Sequence, residues 1–291
     1  MTGIDVGRRT FVAAVGALTA ASTLAAAGNS ARRPARASLD PAVDLPMMYR
    51  KLRYSMDEGV VMWWFAGTKY GQRDGEFTPL YKIETCNWNR VKNEPDGGFT
   101  IRVLECAFYT DLASGEVLRT WKNPYTNQVV TIPYAIVGPL DARHDAQSQI
   151  VPLSEIGGAK VDMRVTIGPV TMLGDDVWTE TSNRFAIHPR SGGRPHVVYE
   201  WATYTAKATD LANPAIRSLI ATCDLQDMTA WPRWMNMGDQ PGGVMGRISG
   251  RKVSRFEEMP AGFRARLAQV FPDVVRDPIA ALDKPTAKLE R

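Results

Sequence analysis

Apolar and polar side chains alternate with a period of two residues through most of the segment 80–204, and turn-forming residues interrupt the alternation at short intervals. Successive side chains of a strand point to opposite faces, so this pattern predicts strands with one buried face. Residues 80–88 and 99–109 flank the turn sequence Asn-Glu-Pro-Asp-Gly-Gly at residues 93–98, which predicts a hairpin. Further strands are predicted at residues 117–122, 128–136, 161–167, 170–173, 177–187 and 196–204.

About eight or more strands at this spacing favour an all-β, mainly antiparallel fold. We predict a closed or partly open β-barrel of the calycin or lipocalin type, with a β-sandwich as the alternative. Short helices are predicted at residues 45–57, 211–219 and 261–271, and the last of them should cover an open barrel end or a sheet face. The predicted organisation is a signal peptide over residues 1–37, a single barrel domain over residues 38–276 and a loosely attached polar tail over residues 277–291.

The first 37 residues have the features of an export signal. The pair Arg8-Arg9 precedes a run of small apolar residues at 13–27, and Ala-Arg-Ala at residues 35–37 fits a cleavage site. A membrane anchor is the alternative, but the run is short, rich in Gly, Ala, Ser and Thr, and interrupted by Gly28-Asn29. We therefore expect the twin-arginine machinery to export the folded chain to the periplasm, with no membrane span in the mature protein.

The formal net charge of +4 suggests a nucleic-acid or membrane partner until the predicted signal is set aside. Residues 1–37 contain five arginines and one aspartate, which leaves equal numbers of basic and acidic residues in the rest of the chain. A neutral mature chain gives no electrostatic reason to expect nucleic-acid binding. Cys86, Cys106 and Cys223 lack metal-site spacing; pairing of the first two across neighbouring strands is conceivable, but buried thiols are favoured.

Familiar catalytic signatures such as G-x-S-x-G, a Walker loop and H-E-x-x-H are absent from the sequence. Among its three histidines, His144 in the segment Asp-Ala-Arg-His-Asp is the best candidate for a base that faces a cavity, and a solvated charged loop is the alternative. We expect neither a metal nor a cofactor.

Charged residues within predicted strands are the better indication of a site. Glu105 has apolar neighbours at period two, and alternation places Glu180 and Arg184 on one side of their strand. A buried carboxylate beside aromatic side chains has a raised pKa that suits proton transfer. The predicted catalytic residues are Glu105, Glu180, Arg184, Tyr109 and Tyr204; a solvated sheet face with cross-strand ion pairs is the alternative.

The segment 231–237 is rich in broad apolar side chains but contains proline, so it predicts an ordered loop. It either closes the mouth of the barrel over an aromatic or alicyclic ligand or packs down as a core plug. The predicted ligand-binding residues are Trp121, Asn123, Trp178, Trp231, Trp234, Met235 and Arg247.

Three segments, residues 111–127, 231–242 and 246–253, together resemble the domain-of-unknown-function 1838 family. The most specific of them is Trp-Pro-Arg-Trp-Met-Asn-Met-Gly-Asp-Gln-Pro-Gly at residues 231–242. The resemblance covers essentially the whole chain after the predicted signal. It implies an exported, β-rich domain and carries over no catalytic residue.

These observations predict an exported small-molecule β-barrel protein that acts on a lipophilic aromatic or polycyclic compound. The hypothesis most compatible with the predicted site is a cofactor-independent lyase or isomerase that works by proton transfer. Two alternatives remain open: a non-catalytic binding or carrier protein with the same pocket, and a structural periplasmic protein without a ligand.

Overall fold

The computed structural model describes residues 39–152, 155–156, 159–188 and 195–285. Residues 37–291 form one compact unit. The predicted signal peptide lies outside the described residues, so its assignment stays a prediction.

The described residues are mostly in antiparallel strands. The strands are β1 (Gly59–Arg73), β2 (Glu76–Asn93), β3 (Phe99–Thr110), β4 (Thr120–Lys122), β5 (Val129–Thr131), β6 (Ala135–His144), β7 (Glu155–Ile156), β8 (Ala159–Leu173), β9 (Asp176–His188), β10 (His196–Lys207), β11 (Thr222–Ala230) and β12 (Gly243–Val253). The α-helices are α1 (Pro41–Arg53), α2 (Ala208–Ala212), α3 (Ala261–Val270), α4 (Pro272–Arg276) and α5 (Pro278–Asp283), and two 3-10 turns lie at Arg233–Met235 and Phe256–Glu258.

Ten strands form one sheet in the order β6-β3-β2-β1-β12-β11-β10-β9-β8-β7, while β4 and β5 pair separately. Pairing of β1 with β12 joins the first and last strands of the described part of the chain. Apart from β3 and β6, all other neighbouring strands of the sheet are consecutive in sequence. The sheet curls into a half-barrel. Within the described residues no strand pairing joins the edge strands β6 and β7, so the predicted all-β barrel fold is confirmed in its partly open form.

Helix α1 enters the concave side of the sheet and fills one part of it. Its apolar residues Met48, Tyr49 and Leu52 are buried against concave residues of both halves of the sheet, including Trp63 and Tyr204. The C-terminal carbonyls of a helix need donors, and Lys252 of β12 supplies them. Its ammonium donates to the carbonyls of Lys51 and Tyr54, each at 2.7 Å, so the sheet holds the C-terminal end of α1 inside the half-barrel.

Helices α3, α4 and α5 cover the convex side of β2, β3 and neighbouring strands. Their apolar residues Phe263, Leu267 and Leu282 are fully buried against strand residues that include Trp88 and Phe108. The prediction that the 261–271 helix would cover a sheet face therefore agrees with the structure. The three cysteines are free and buried.

Several boundaries differ from the sequence-based predictions. Strands β1, β11 and β12 had no counterpart there, residues 161–173 form one strand, and the predicted strand 128–136 divides between β5 and β6. Of the predicted helix 211–219, only the first two residues are helical, and they form the end of α2. Part of the expected loose tail is α5, because the Asp277 side chain accepts from the Ala280 amide at 2.9 Å and Leu282 is buried.

Candidate functional site

A row of polar residues crosses the concave side of the half-barrel. Register places Lys69, Gly246, Asp227, Glu200 and Asn183 opposite one another on β1, β12, β11, β10 and β9. Side chains alternate between the two faces along each strand. On these strands the residues that share a face with the five belong to the concave core, so all five lie on the inner face. We call these five residues the polar row.

Within the polar row, Lys69 and Asp227 form a salt bridge whose side chains are only 11% and 14% exposed. The residue between them in the register is a glycine, and the reason is steric. A Cβ at Gly246 would lie 2.7 Å from Asp227 Oδ1 and 2.9 Å from Lys69 Nζ. The absence of a side chain at this position gives the ion pair its space.

Glu105 of β3 and Glu200 of β10 lie on opposite walls of the interior. Burial raises the pKa of Glu105, and the neighbouring Glu200 raises it further, against the opposing effects of the Thr85 hydroxyl and the charge of Lys69. Burial also raises the pKa of Glu200, although its carboxylate accepts from Asn183 Nδ2 at 3.2 Å. Both residues lie on the concave face and are half-buried, so their carboxyls remain accessible to a small molecule.

Four aromatic residues lie beside the polar row: Tyr81, Tyr109, Trp121 and Trp234. Their ring centroids are 4.8 to 6.0 Å apart in five pairwise contacts. Burial, with Asp227 and Glu105 nearby, raises the pKa of Tyr109 to about 12, so its hydroxyl keeps its proton at neutral pH. We call these four residues the aromatic roof.

Asn123 connects the segments that carry Trp121 and Trp234 of the roof. It is fully buried, its amide donates to the Met235 carbonyl at 2.7 Å, and its Oδ1 accepts from the Tyr125 amide at 2.9 Å. Buried Met235 and Trp231 pack behind the roof, and the Trp231 indole donates to the Pro241 carbonyl at 3.2 Å. Trp234 is therefore part of the roof, whereas Met235 and Trp231 pack against it.

The structure brings together Glu105 and Tyr109 near the roof, and it places Tyr204 deeper on the same concave side. It does not bring Glu180 or Arg184 to them. Alternation in β9 puts both, with Trp178, on the convex face, where Arg184 lies 6.0 Å from the ring centroid of exposed Tyr199. Arg247 also lies on the convex side, because it alternates with concave Gly246.

His144 is neither on a solvated loop nor open to solvent. It ends β6 with no exposed surface and stacks on Phe99 with centroids 4.4 Å apart. Its Nδ1 lies 3.1 Å from the Ser148 carbonyl, which fixes the proton on Nδ1. Burial lowers its pKa to about 4, so the imidazole is neutral at pH 7.

Sequence reasoning missed Lys69, Asp227, Asn183 and Arg53 as site residues. Lys69 and Asp227 lie on strands that were not predicted, and Asn183 was assigned to the face opposite Glu180 without a signal that this face is the inner one. Glu200 was missed as well, although its spacing of four residues from Tyr204 places both on one side of the strand. Arg53 carried no signal, because nothing in a helical pattern says that a helix enters a barrel.

A groove of about 230 Å³ on the outside of the sheet, bordered by Tyr199, Met228 and Gly243, has no acidic or basic side chain among its lining residues. The acid–base groups are therefore inside the half-barrel and not in this groove. Among the described residues, no group of three or more His, Cys, Asp or Glu side chains is arranged to hold a metal ion. In the same part of the chain, no helix is long and apolar enough to cross a membrane.

Fold and site together define an antiparallel β half-barrel with a polar interior beneath an aromatic cluster. The family described as "Protein of unknown function (DUF1838)" matches residues 57–288, and the chain belongs to this family. No protein with curated annotation matches the chain.

Proposed function

We propose that the protein is an exported small-molecule half-barrel protein that acts by proton transfer on a lipophilic aromatic or polycyclic compound, as a cofactor-independent lyase or isomerase. The observation that carries the proposal is the proximity of Glu105 to Glu200 and Tyr109 on the concave face, where Glu200 acts on the charge of Glu105 and Glu105 acts on Tyr109, beside the aromatic roof. A few polar groups among aromatic side chains are typical of small-molecule sites.

The two carboxyls divide the acid and base roles. Like-charged neighbours in a poorly solvated space resist ionising together, so one carboxyl holds its proton while the other is the base. A pKa raised toward neutrality is the condition under which a carboxyl both accepts and returns a proton efficiently. Tyr109 donates its hydroxyl proton in a hydrogen bond to an oxygen of the substrate, where negative charge develops.

In this proposal Glu200 takes the role that the sequence suggested for Glu180. Glu180 is exposed on the convex face, whereas Glu200 lies on the inner face next to the Lys69–Asp227 ion pair. The Tyr204 hydroxyl accepts a hydrogen bond from Arg53 of α1, so Tyr204 holds this arginine and has no part in the proton transfer.

Solvent-deuterium exchange tests this function. 2-Tetralone, a bicyclic aromatic ketone with acidic carbon-bound protons, is incubated with the protein in D₂O, and deuterium uptake is followed by mass spectrometry. We expect the wild-type protein to accelerate exchange and Glu105→Gln and Glu200→Gln each to reduce that acceleration on the order of 100-fold. Glu180→Gln, the same change on the convex face, should leave the exchange rate within about two-fold.

The same experiment distinguishes the carrier hypothesis. Saturable binding of 2-tetralone, measured by tryptophan fluorescence, without any acceleration of exchange would indicate a non-catalytic binding protein. Neither binding nor exchange, with the protein folded, would contradict both functions for this compound class.

Export is the second part of the proposal, and it rests on the arrangement of residues 1–37. The receptor of the twin-arginine machinery reads two guanidinium groups, and the planar fork of arginine is not reproduced by lysine. Replacing Arg8 and Arg9 with lysine should retain the precursor in the cytoplasm. Unchanged periplasmic accumulation of a chain that begins near Ser38 would contradict the assignment.

A further inference from the structure

We infer that the ligand of the half-barrel is an anion, an aromatic carboxylate or a compound with an equivalent acidic oxygen, and that Arg53 binds the anionic group. This inference rests on the proposed function and narrows its substrate class. It starts from the position of one charged side chain at the inner end of α1.

Arg53 is the last residue of α1, and its side chain extends into the concave side of the sheet. Its backbone is fixed there, because the Trp63 indole donates to the Arg53 carbonyl at 2.9 Å. Its Nε donates to the Tyr54 hydroxyl at 3.1 Å, and its Nη1 donates to the Tyr204 hydroxyl. The guanidinium carbon also lies 5.5 Å from the ring centroids of both tyrosines.

This guanidinium has no carboxylate partner within the described part of the chain. Its hydrogen-bond partners there are the two tyrosine hydroxyls, and its Nη2 has none. Arginine stays protonated in proteins, so the charge cannot be removed by losing a proton. Arg53 is half-buried, a poorly solvated charge without a counter-charge is unfavourable, and an anion that enters the interior reduces this penalty.

The acidic side chains of the interior are otherwise engaged. Asp227 pairs with Lys69, Glu200 accepts from Asn183, and Glu105 lies near Thr85, with burial that favours its protonated form. Arg53 is close enough to act on the charges of both glutamates but forms a contact with neither. The interior therefore has a cation available for the ligand.

The geometry also fits a planar anion better than a point charge. Tyr54 and Tyr204 hold the guanidinium plane in place, and the free Nη2 edge presents donors to a carboxylate oxygen. The aromatic roof lies at the other side of the polar row, where Tyr109 contacts both Tyr81 and Trp234. An aromatic acid would place its ring system toward the roof and its acidic group toward Arg53.

A pair of probes that differ only in charge tests the inference. 2-Naphthoate and 2-naphthamide have nearly the same shape, and their dissociation constants are measured by calorimetry at pH 7.5. We expect the wild-type protein to bind the carboxylate about 10-fold or more tightly than the amide. Arg53→Gln should abolish this preference and leave the affinity for the amide within about two-fold.

Two further variants complete the test. Arg53→Lys keeps the charge but loses the fork, so it should recover only part of the preference. Arg164→Gln, at an exposed position of the convex face, is the matched control and should bind both probes like the wild type. Binding of the amide by each variant shows that its interior is folded.

The possible results separate the two proposals. Equal or tighter binding of 2-naphthamide by the wild type would overturn the anionic ligand class and leave the proposed function standing. An undiminished preference in Arg53→Gln would overturn the role of Arg53. Failure of both probes to bind the wild type would contradict the proposed aromatic ligand and, with it, this inference.

Discussion

The two faces of the sheet differ in how they hold glutamate side chains. On the convex face, Glu84 meets Arg266 of α3 through two hydrogen bonds of 2.8 and 2.7 Å, so the charge anchors a helix. On the concave face, Glu105 and Glu200 lie where burial disfavours their ionised forms, and Arg53 has no counter-ion among the described residues. Natural sequences keep such unfavourable groups mainly where function requires them, so the comparison favours the concave face as the place of the chemistry.

The largest effect that this comparison predicts is on the convex face. Phe263 of α3 has no exposed surface and stacks on Phe108 with centroids 5.7 Å apart. Phe263→Ala should lower the free energy of unfolding by about 3–5 kcal/mol, because it leaves a cavity in a closed core. Urea denaturation followed by circular dichroism measures the change, with exposed Gln269→Ala as the control. A loss below about 1 kcal/mol would show that α3 contributes little to the fold.

Acid sensitivity should come from the concave side. Burial lowers the pKa of His144 to about 4 in the folded state, against about 6.5 in the unfolded chain. The neutral imidazole therefore makes its full contribution to the free energy of unfolding above pH 6.5. This contribution is lost as the pH falls toward 4, and the loss is on the order of 2–3 kcal/mol. His144→Asn retains a donor for the Ser148 carbonyl but does not titrate.

The measurement is the urea midpoint of the wild type and His144→Asn at pH 7.5, 6 and 4.5. The variant should show a shallower decline between pH 6 and 4.5 than the wild type. Parallel curves would mean that the imidazole is hydrated in solution.

The half-barrel itself was predictable, because alternation over long strands is a property of the sequence. The same alternation correctly grouped Glu200 with Tyr204, and Glu180 with Arg184. What alternation cannot decide is which side of a strand is inner. In β9 the inner side carries Thr179, Thr181 and Asn183, whose polar side chains are as compatible with solvent as those of the outer side.

The contents of the interior were harder to predict than its wall. Arg53 reaches the interior only because α1 enters the concave side, and Lys252 holds it there by capping its end. That arrangement depends on contacts between residues about 200 positions apart in the chain. Strand β12, in turn, carries three glycines and three basic residues, a composition that disfavours a strand in isolation but permits close packing against Phe65.

Replacing a glutamate by glutamine on each face tests the comparison most directly. At pH 7.5, Glu84→Gln should lower the free energy of unfolding by about 1–2 kcal/mol, because a charge-assisted pair with Arg266 is lost. Glu200→Gln should leave it unchanged or raise it, since the neutral amide avoids the cost of a poorly solvated carboxylate. Equal losses for the two variants, measured by urea denaturation, would remove the distinction between the faces.

The pH dependence of the two glutamates has the opposite sign to that of His144. A folded-state pKa above the unfolded value means that stability is fully present below about pH 4.3 and is lost as the pH rises through the folded pKa. The double variant Glu105→Gln/Glu200→Gln should therefore gain stability relative to the wild type between pH 4.5 and pH 8. A difference that is constant over this range would show that neither carboxyl titrates differently in the folded protein.

The smallest of the predicted losses of stability is at Gly246, one of two glycines of β12 on the concave face. A Cβ at Gly250 would lie 2.0 Å from the Phe65 ring, which is packed in the core, whereas a Cβ at Gly246 meets only the mobile ends of Lys69 and Asp227. Gly250→Ala should cost about 1–3 kcal/mol through overpacking, and Gly246→Ala less than about 1 kcal/mol. Gly246→Ala should nevertheless reduce proton exchange into 2-tetralone, because it displaces the ion pair beside Glu200. If Gly246→Ala were as destabilising as Gly250→Ala, the Lys69–Asp227 pair would be a rigid part of the core and not an adaptable wall of the site.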